Sequence, residues 1–373
     1  MDNGSHSCLL NETLDFTNTD ISRPPFIFYL SGEWFLYQIA WPAIIIFGFM
    51  TNISFLITVY RDSSFHTATY VYLVNLSCAD LIALLSIGLV DGVIMYHLNT
   101  PIRGVVSINV CSGIGFVTTM SFGASLFFVT LMSLERFLAI CYPIKHHLMK
   151  GNHRNVKFIL ATWIASIITA GSAISVYHND LVLCILLPEK DPVHRLIPRK
   201  AHLCSSPETR SSWIYLISVC YITLWAFLAI GNGSMYASIM RALNRRQQNM
   251  SHCSSADTEA QLRQVAIMLI ANGSIFFLCC AIQMSNVTLL IISILNPELY
   301  PWNDYQRQVY LDFVRFSMGV NCSINPLVYA MTNARYRKAF CKTFRPLCCV
   351  RVPWVTICRK AKPTRQLELS RIQ

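Results

Sequence analysis

Seven apolar stretches, each long enough to cross a lipid bilayer, leave this chain few folds to adopt. A helix needs about 20 apolar residues to span a hydrocarbon core of about 30 Å. Inside a bilayer only helices and closed barrels pair all of their backbone polar groups. We therefore predict an all-α membrane protein, a seven-transmembrane helix bundle. The stretches lie near residues 36–60, 70–96, 111–141, 156–177, 212–243, 262–295 and 306–331.

The composition excludes an ordinary soluble protein. Apolar residue types make up 54% of the chain, and only 13% of the residues are charged. An average soluble domain carries about 25% charged residues. No paired carboxylates, metal-spaced histidines or nucleophile motif occur in a soluble segment. We therefore do not expect an enzyme or a bound cofactor.

Positive charge is distributed unevenly between the two ends of the predicted helices. Lys and Arg concentrate in the connection after the third helix, around the start of the sixth helix and after the seventh. Because short cytoplasmic loops are enriched in these residues, the pattern predicts an extracellular N-terminus and a cytoplasmic C-terminus in the plasma membrane. The net charge of +11 then faces anionic membrane lipids. We do not expect a nucleic acid partner.

The chain divides into three predicted parts. Residues 1–35 form an extracellular tail, 36–333 the seven-helix domain, and 334–373 a cytoplasmic amphipathic helix with a basic tail. Asn3 and Asn11 each begin an Asn-x-Ser/Thr motif, so both are predicted N-glycosylation sites. No short apolar segment of the signal-peptide type precedes the first span, so we predict no cleaved signal peptide.

Three cysteines on the predicted outer side are candidates for a disulfide. Cys111 begins the third apolar stretch, and Cys184 and Cys204 lie in the long connection between the fourth and fifth. A bond from Cys111 to this connection would fix the loop over the mouth of the bundle. We favour Cys204, which is nearer to the fifth helix, over Cys184, and the remaining cysteine is free to pair with Cys8.

The segment after the last span has the pattern of a helix that lies in the membrane interface. Tyr336, Phe340 and Phe344 recur at helical spacing opposite basic residues. Cysteines next to such a segment are candidates for S-palmitoylation, and inert thiols are the alternative. The candidates are Cys341, Cys348 and Cys349.

Asp80 places a carboxylate in the middle of the second predicted helix, where a charged group is costly. Oxygen-bearing side chains around it would suit a hard cation such as sodium, or a network of water. Ordinary hydrogen bonds between helices, worth about 0.6 kcal/mol each, are the alternative. The expected partners are Asn52, Ser125, Asn321 and Asn325.

Two further motifs suggest a conformational switch. Glu135 and Arg136 stand side by side at the end of the third apolar stretch, where a simple membrane anchor is the alternative. In the seventh stretch the segment Asn325-Pro326-Leu327-Val328-Tyr329 contains a proline, which lacks an N–H and so removes one backbone hydrogen bond of the helix. A segment with free carbonyl groups and a nearby tyrosine suits a rearrangement.

Taken in order, these motifs resemble the rhodopsin-like family of G-protein-coupled receptors. The resemblance implies a bundle that binds an extracellular agonist and activates a heterotrimeric G protein by moving its sixth helix outward. It also implies that Glu135 restrains Arg136 at rest and that Arg136 contacts the G protein once it is freed. The matching segments are 48–52, 75–80, Cys111, 135–137, Trp163 and 325–329.

The chain departs from the family pattern in its fifth and sixth helices. The usual proline of the fifth helix and the Cys-Trp-x-Pro element of the sixth are both absent. We expect Gly273 or Ser274 to act as the pivot of the sixth helix instead. Leu262 occupies the place of an acidic partner for Arg136, which leaves Glu135 as the expected resting partner.

Absent residues narrow the class of ligand. Thr118 stands where aminergic receptors carry an aspartate, and Gly319 where opsins carry a lysine, so amines and retinal are excluded. Local motifs at 122–125 and 240–243 resemble prostanoid receptors, in which an arginine such as Arg315 binds the ligand carboxylate.

We favour a peptide as the ligand, and a lipid mediator is the alternative. The long charged outer loop and Asn325 both fit a peptide receptor, and Asp91 and Arg315 are placed to bind the ends of a peptide or to pair with each other. A receptor that does not signal is a further alternative. A transporter is disfavoured, because the two halves of the sequence show no internal repeat. The pocket candidates are Asp91, Thr118, Phe122, Cys280 and Arg315.

Overall fold

The fold is described by a computed structural model that covers most of the predicted helices. Among the residues that the structure describes, the side chains are described except at 13–15, 108–111, 152, 174–177, 179–186, 200–205, 247–249, 256–259, 304–305 and 308. The predicted sites Asn3, Asn11, Asp91, Cys348 and Cys349 lie outside the described residues. The described residues are 13–15, 39–88, 108–148, 152–177, 179–186, 200–205, 212–249, 256–296, 298, 302 and 304–344.

Seven long helices pack into a bundle and a short eighth helix follows, which confirms the predicted fold class. They are α1 (Trp41–Arg61), α2 (Ala68–Leu84), α3 (Ile108–Cys141), α4 (Asn152–Tyr177), α5 (Ser212–Asn249), α6 (Ala256–Leu295), α7 (Asp304–Thr332) and α8 (Ala334–Thr343). By length and composition, α1 to α6 are each able to cross a bilayer. α7 carries four charged residues in its first half and nevertheless packs against α1, α2 and α6.

The end of α5 and the start of α6 lie outside their predicted limits. α5 continues to Asn249 and α6 begins at Ala256, beyond the predicted boundaries at 243 and 262. Both extensions are polar, since apolar patterning marks only the part of a helix that lies in lipid. At the start of α1, Pro42 occupies the first turn, where its missing N–H costs nothing.

α3 occupies the centre of the bundle. It contacts α2, α4, α5 and α6, and its Ala124, Phe128 and Met132 are almost fully buried among them. Side chains at successive positions of α3 therefore point toward different neighbouring helices. This placement decides which partners its polar residues find.

Three short strands lie outside the helical bundle, and the all-α prediction omitted them. In the sheet β2 pairs in parallel with β1 and antiparallel with β3, with Cys204 opposite Asp180 and Cys184 opposite Lys200. β3 approaches α3, the helix that contains Cys111. This backbone arrangement favours Cys204 as the partner, and the pairing stays a prediction because the three side chains lie outside the described ones. The strands are β1 (Thr13–Asp15), β2 (Asn179–Leu186) and β3 (Lys200–Ser205).

Asn333 separates α7 from α8 and caps the second of them. Its carboxamide oxygen accepts two backbone N–H groups of the first turn, at 3.0 and 3.2 Å, and its amide donates to the Tyr70 hydroxyl at 2.9 Å. Tyr336 of α8 is buried against Tyr329, and this burial raises the pKa of the Tyr336 phenol. The predicted interfacial helix is thus anchored to the bundle through a tyrosine.

The connection between α1 and α2 provides a second anchor for α8. Hydrogen bonds from the hydroxyl and backbone N–H of Ser64 hold the pKa of the Asp62 carboxyl below its usual value. Arg335 of α8 donates to the Ser64 carbonyl oxygen at 2.8 Å, and its guanidinium lies 5.3 Å from the centre of the Phe65 ring. The base of α1 and the start of α8 are therefore fixed together.

Gly273 is the position at which α6 admits a side chain of α5. A methyl group at Gly273 would collide with the hydroxyl of Tyr236, and that hydroxyl is hydrogen-bonded to Ser133 of α3 at 2.9 Å. α6 runs from Ala256 to Leu295 as one helix through this position. The glycine thus has a packing role here, and its role as a pivot stays a prediction.

Replacing Gly273 with alanine should lower the thermal stability of the purified protein in detergent. Alanine normally favours a helix over glycine by about 1 kcal/mol. At this site the added methyl must displace the Tyr236 phenol and break its bond to Ser133, and overpacking of this kind costs about 1–3 kcal/mol. Gly233→Ala on α5 is the control, because an added methyl there meets no atom within 4 Å. Equal melting temperatures for the two variants would contradict the packing role.

Candidate functional site

A narrow crevice lies between α2, α3, α6 and α7. Three of the predicted pocket residues, Thr118, Phe122 and Cys280, line it together. Thr118 donates to the hydroxyl of Ser86 on α2 at 3.1 Å. None of its described lining residues is charged, so the crevice suits an uncharged part of a ligand. The other lining residues are Ala83, Ser125, Phe276, Cys279, Met318, Asn321 and Cys322.

Arg315 lies apart from this lining and pairs within its own helix. Its guanidinium is 3.8 Å from the carboxylate of Asp312, which is 4% exposed and one turn earlier on α7. Sequence reasoning considered Asp91 as the partner of Arg315 and did not single out Asp312. The sequence does indicate this pair, because two residues that are three positions apart lie on the same face of a helix.

Asp80 joins three helices through its carboxylate. The group is 1% exposed, and it accepts hydrogen bonds from the amide of Asn325 at 2.6 Å and from the hydroxyl of Ser125 at 3.3 Å. Two of the predicted partners are therefore in place, one on α7 and one on α3. Asn321 lines the adjacent crevice, and its carbonyl oxygen has no partner among the described residues.

Asn52 makes no hydrogen bond to Asp80 in this structure, and its place in the sodium or water network stays a prediction. Its amide nitrogen donates to the carbonyl oxygens of Gly48 and Cys322, each at 2.9 Å, which uses both of its hydrogens. It therefore ties α1 to α7 instead. The thiol of Cys322 lies beside the Asp80 carboxylate, a neighbour that sequence reasoning missed because a cysteine in an apolar helix usually acts as a small hydrophobe.

No group of three His, Cys, Asp or Glu side chains that could hold a metal occurs in the part of the chain that the structure describes. Around Asp80 the oxygen donors are one carboxylate together with hydroxyl and amide groups, which are hard ligands of the kind that alkali cations accept. The sodium site at Asp80 stays a prediction.

The switch residues of α7 lie one turn below this cluster. α7 continues through Pro326, and Tyr329 is fully buried with its ring 5.1 Å from that of Phe55 on α1. The Tyr329 hydroxyl has no hydrogen-bond partner among the described residues. A buried donor without a partner costs free energy, so Tyr329 gains if a rearrangement supplies one.

Glu135 does not restrain Arg136 in this structure, which corrects the expectation from the family pattern. The Glu135 carboxylate, 6% exposed, accepts hydrogen bonds from Arg154 of α4 at 3.0 Å to each oxygen and lies 2.8 Å from Nε2 of His146. Arg136 instead donates to the hydroxyl of Thr69 on α2. Successive residues of a helix point in different directions, so adjacency in the sequence did not become adjacency of the charges.

A short loop helix, Pro143–Leu148, connects α3 to α4 and brings His146 to Glu135. The side chain of His146 is half-buried at the carboxylate, whereas His147 is exposed. The Glu135 cluster, defined as Glu135, Arg154 and His146, therefore joins three consecutive segments of the chain.

The chain is similar to several known proteins. A family described as 7 transmembrane receptor (rhodopsin family) matches residues 51–329. The thyrotropin-releasing hormone receptor of Gallus gallus is 25% identical over 319 residues, which cover 79% of this chain and 75% of that protein. The neuromedin U receptor homolog nmur-2 of Caenorhabditis elegans is 25% identical over 321 residues, 82% and 78% of the two chains. The pyrokinin-1 receptor of Drosophila melanogaster is 33% identical over 132 residues, 35% and 30% of the two.

The family match extends over more than half of the chain and reaches from α1 to α7. Asp80, Arg136 and Tyr329 all fall inside it, and so does the crevice with its uncharged lining. The match includes α7, whose first half is polar, so that its composition alone does not identify it as a membrane-spanning helix. The chain is therefore a multi-span membrane protein that belongs to the rhodopsin family of seven-transmembrane receptors.

Proposed function

We propose that this protein is a plasma-membrane receptor that binds an extracellular peptide and activates a heterotrimeric G protein. The observation that carries the proposal is the similarity to receptors named for thyrotropin-releasing hormone and neuromedin U, both of which are peptides. Each of these similarities extends over about four fifths of the chain, the helices that form the crevice included.

The geometry of α7 supports a peptide with one charged and one apolar part. Arg315 lies in the first half of α7, where its side chain is 39% exposed beside the buried Asp312. The crevice that begins at Met318, about one turn further along, has an uncharged lining among its described residues. A peptide whose charged group reaches Arg315 can place an apolar or neutral side chain in the crevice.

The orientation of the chain belongs to the same proposal. Arg335, Arg337 and Lys338 of α8 lie at the same end of the bundle as Arg136 and the loop helix, since α8 packs on the base of α1. Short cytoplasmic connections are rich in positive charge, so this end faces the cytoplasm and the G protein. The opposite end, with Arg315, receives the ligand.

Signalling then follows from a shift between two arrangements of the bundle. A ligand acts only through its preference for one conformation over the other. Arg136 is half-buried at rest and becomes available to the G protein when α6 moves away from α3. Tyr329, whose hydroxyl has no partner among the described residues, is placed to find one in the second arrangement.

Arg136→Ala should reduce ligand-driven G-protein activation at least tenfold while leaving the amount of receptor at the cell surface unchanged. The guanidinium supplies charge-assisted hydrogen bonds to the G protein, and their loss at about 1.5–3 kcal/mol corresponds to tenfold or more. The measurement is dissociation of each G-protein family in cells exposed to a panel of synthetic neuropeptides and a panel of lipid mediators.

Lys157→Ala is the matched control, because it also removes a positive charge, one that is exposed near the start of α4. It should leave activation near the wild-type level. A response confined to the lipid panel would overturn the peptide part of the proposal. Silence of every G-protein family, with the receptor present at the surface, would overturn the signalling part.

We also propose that sodium binds at Asp80. Sodium chloride should raise the melting temperature of the purified receptor above its value in choline chloride of equal ionic strength, because an ion that binds only the folded state stabilises it. Asp80→Asn should abolish this difference. Asp62→Asn, which removes a partly exposed carboxylate from the connection between α1 and α2, should keep it. A sodium effect that survives in Asp80→Asn would exclude the site.

A further inference from the structure

We infer that Arg154 and His146 are positioning residues that hold the Glu135 carboxylate away from Arg136, so that Thr69 provides the resting restraint on Arg136. The inference rests on the proposed coupling function of Arg136. Its structural part concerns only the Glu135 cluster and can be tested without a G protein.

Both oxygens of the Glu135 carboxylate are occupied in the cluster. Nη2 of Arg154 lies 3.0 Å from each oxygen, and Nε2 of His146 lies 2.8 Å from Oε1. A buried carboxylate keeps such partners, since an unpaired charge is strongly disfavoured away from water. The arrangement leaves Glu135 satisfied without any contribution from Arg136.

Arg154 is itself fixed in the position from which it reaches Glu135. Its side chain is 15% exposed, and its guanidinium lies 5.9 Å from the centre of the Phe158 ring. Nη2 is also 3.5 Å from Oδ1 of Asn155, an oxygen that accepts a hydrogen bond from the hydroxyl of Tyr72 on α2 at 3.1 Å. Two helices thus determine where Arg154 points.

Arg136 is held more weakly than an ion pair would hold it. Its Nη2 donates to Thr69, a neutral hydroxyl that is 2% exposed, and its Nε has no hydrogen-bond partner among the described residues. Thr69 carries no charge, so Arg136 lacks the Coulomb attraction that a carboxylate partner would add. The receptor should therefore activate G protein measurably without an agonist.

Arg154→Ala should lower agonist-free G-protein activation about threefold or more per receptor at the surface. Without Arg154, the buried Glu135 carboxylate retains only His146 and turns to the neighbouring guanidinium of Arg136, which adds an ionic restraint. Glu135→Gln in the Arg154→Ala background removes the carboxylate and should restore activation to the wild-type level. A purely structural role for Arg154 would show no such rescue.

Three single variants complete the design. Arg154→Lys keeps the charge and should stay near wild type. Thr69→Val, which removes the hydroxyl and preserves the side-chain shape, should raise agonist-free activation severalfold. Lys157→Ala, an exposed charge on α4, should change nothing.

Hydrogen exchange of the purified full-length receptor tests the Glu135 cluster directly. Glu135→Gln and His146→Ala should each increase deuterium uptake in the loop helix, Pro143–Leu148, because the helix loses its link to α3. His147→Ala, whose side chain is exposed, is the matched control and should leave the uptake unchanged.

The outcomes separate this inference from the proposed function. Equal loss of activation in Arg154→Ala with and without Glu135→Gln overturns the inference, as does the absence of agonist-free activation in both the wild type and Thr69→Val. Unchanged exchange in Glu135→Gln also overturns it. If exchange changes as expected while no variant activates G protein even with the peptide panel, the cluster stands and the proposed function fails.

Discussion

The hydrogen bond of 2.6 Å between the Asn325 amide and the Asp80 carboxylate fixes the position of α7 in the bundle. Lipid offers no water to solvate either group, so each needs a partner that the protein supplies. With Ser125 as the second donor, one carboxylate sets the relative positions of α2, α3 and α7. α7 has the least apolar sequence of the long helices, and its place depends on polar contacts more than on lipid.

The remaining helix contacts extend the same principle with weaker bonds. Asn52 links α1 to α7, Tyr236 meets Ser133 between α5 and α3, and the Tyr221 hydroxyl donates to the Thr169 carbonyl between α5 and α4. Each such bond between helices in a membrane is worth only about 0.6 kcal/mol on average. A bundle held by many small contributions can exchange several of them at little net cost, as the proposed shift between two arrangements of the bundle requires.

Sequence reasoning succeeded where a polar residue stands out against an apolar background. Asp80, Ser125 and Asn325 were grouped before the structure placed them together, because few other polar side chains lie at that depth. It failed where the answer depended on direction around a helix. The carboxylate of Glu135 faces α4, whereas Arg136 faces α2, and no pattern of apolar residues encodes that difference of about one quarter turn.

Ser125 belongs to both the crevice and the group of residues around Asp80. Its side chain lines the crevice and also donates to Asp80 at 3.3 Å. A ligand group that draws the Ser125 hydroxyl toward itself removes one of the bonds that stabilise the carboxylate. The Asn325 amide then carries more of the pairing, and Asn325 lies one turn before Tyr329 on α7. A small displacement at the base of the crevice therefore acts on α7 at the point where Pro326 has already removed a backbone hydrogen bond.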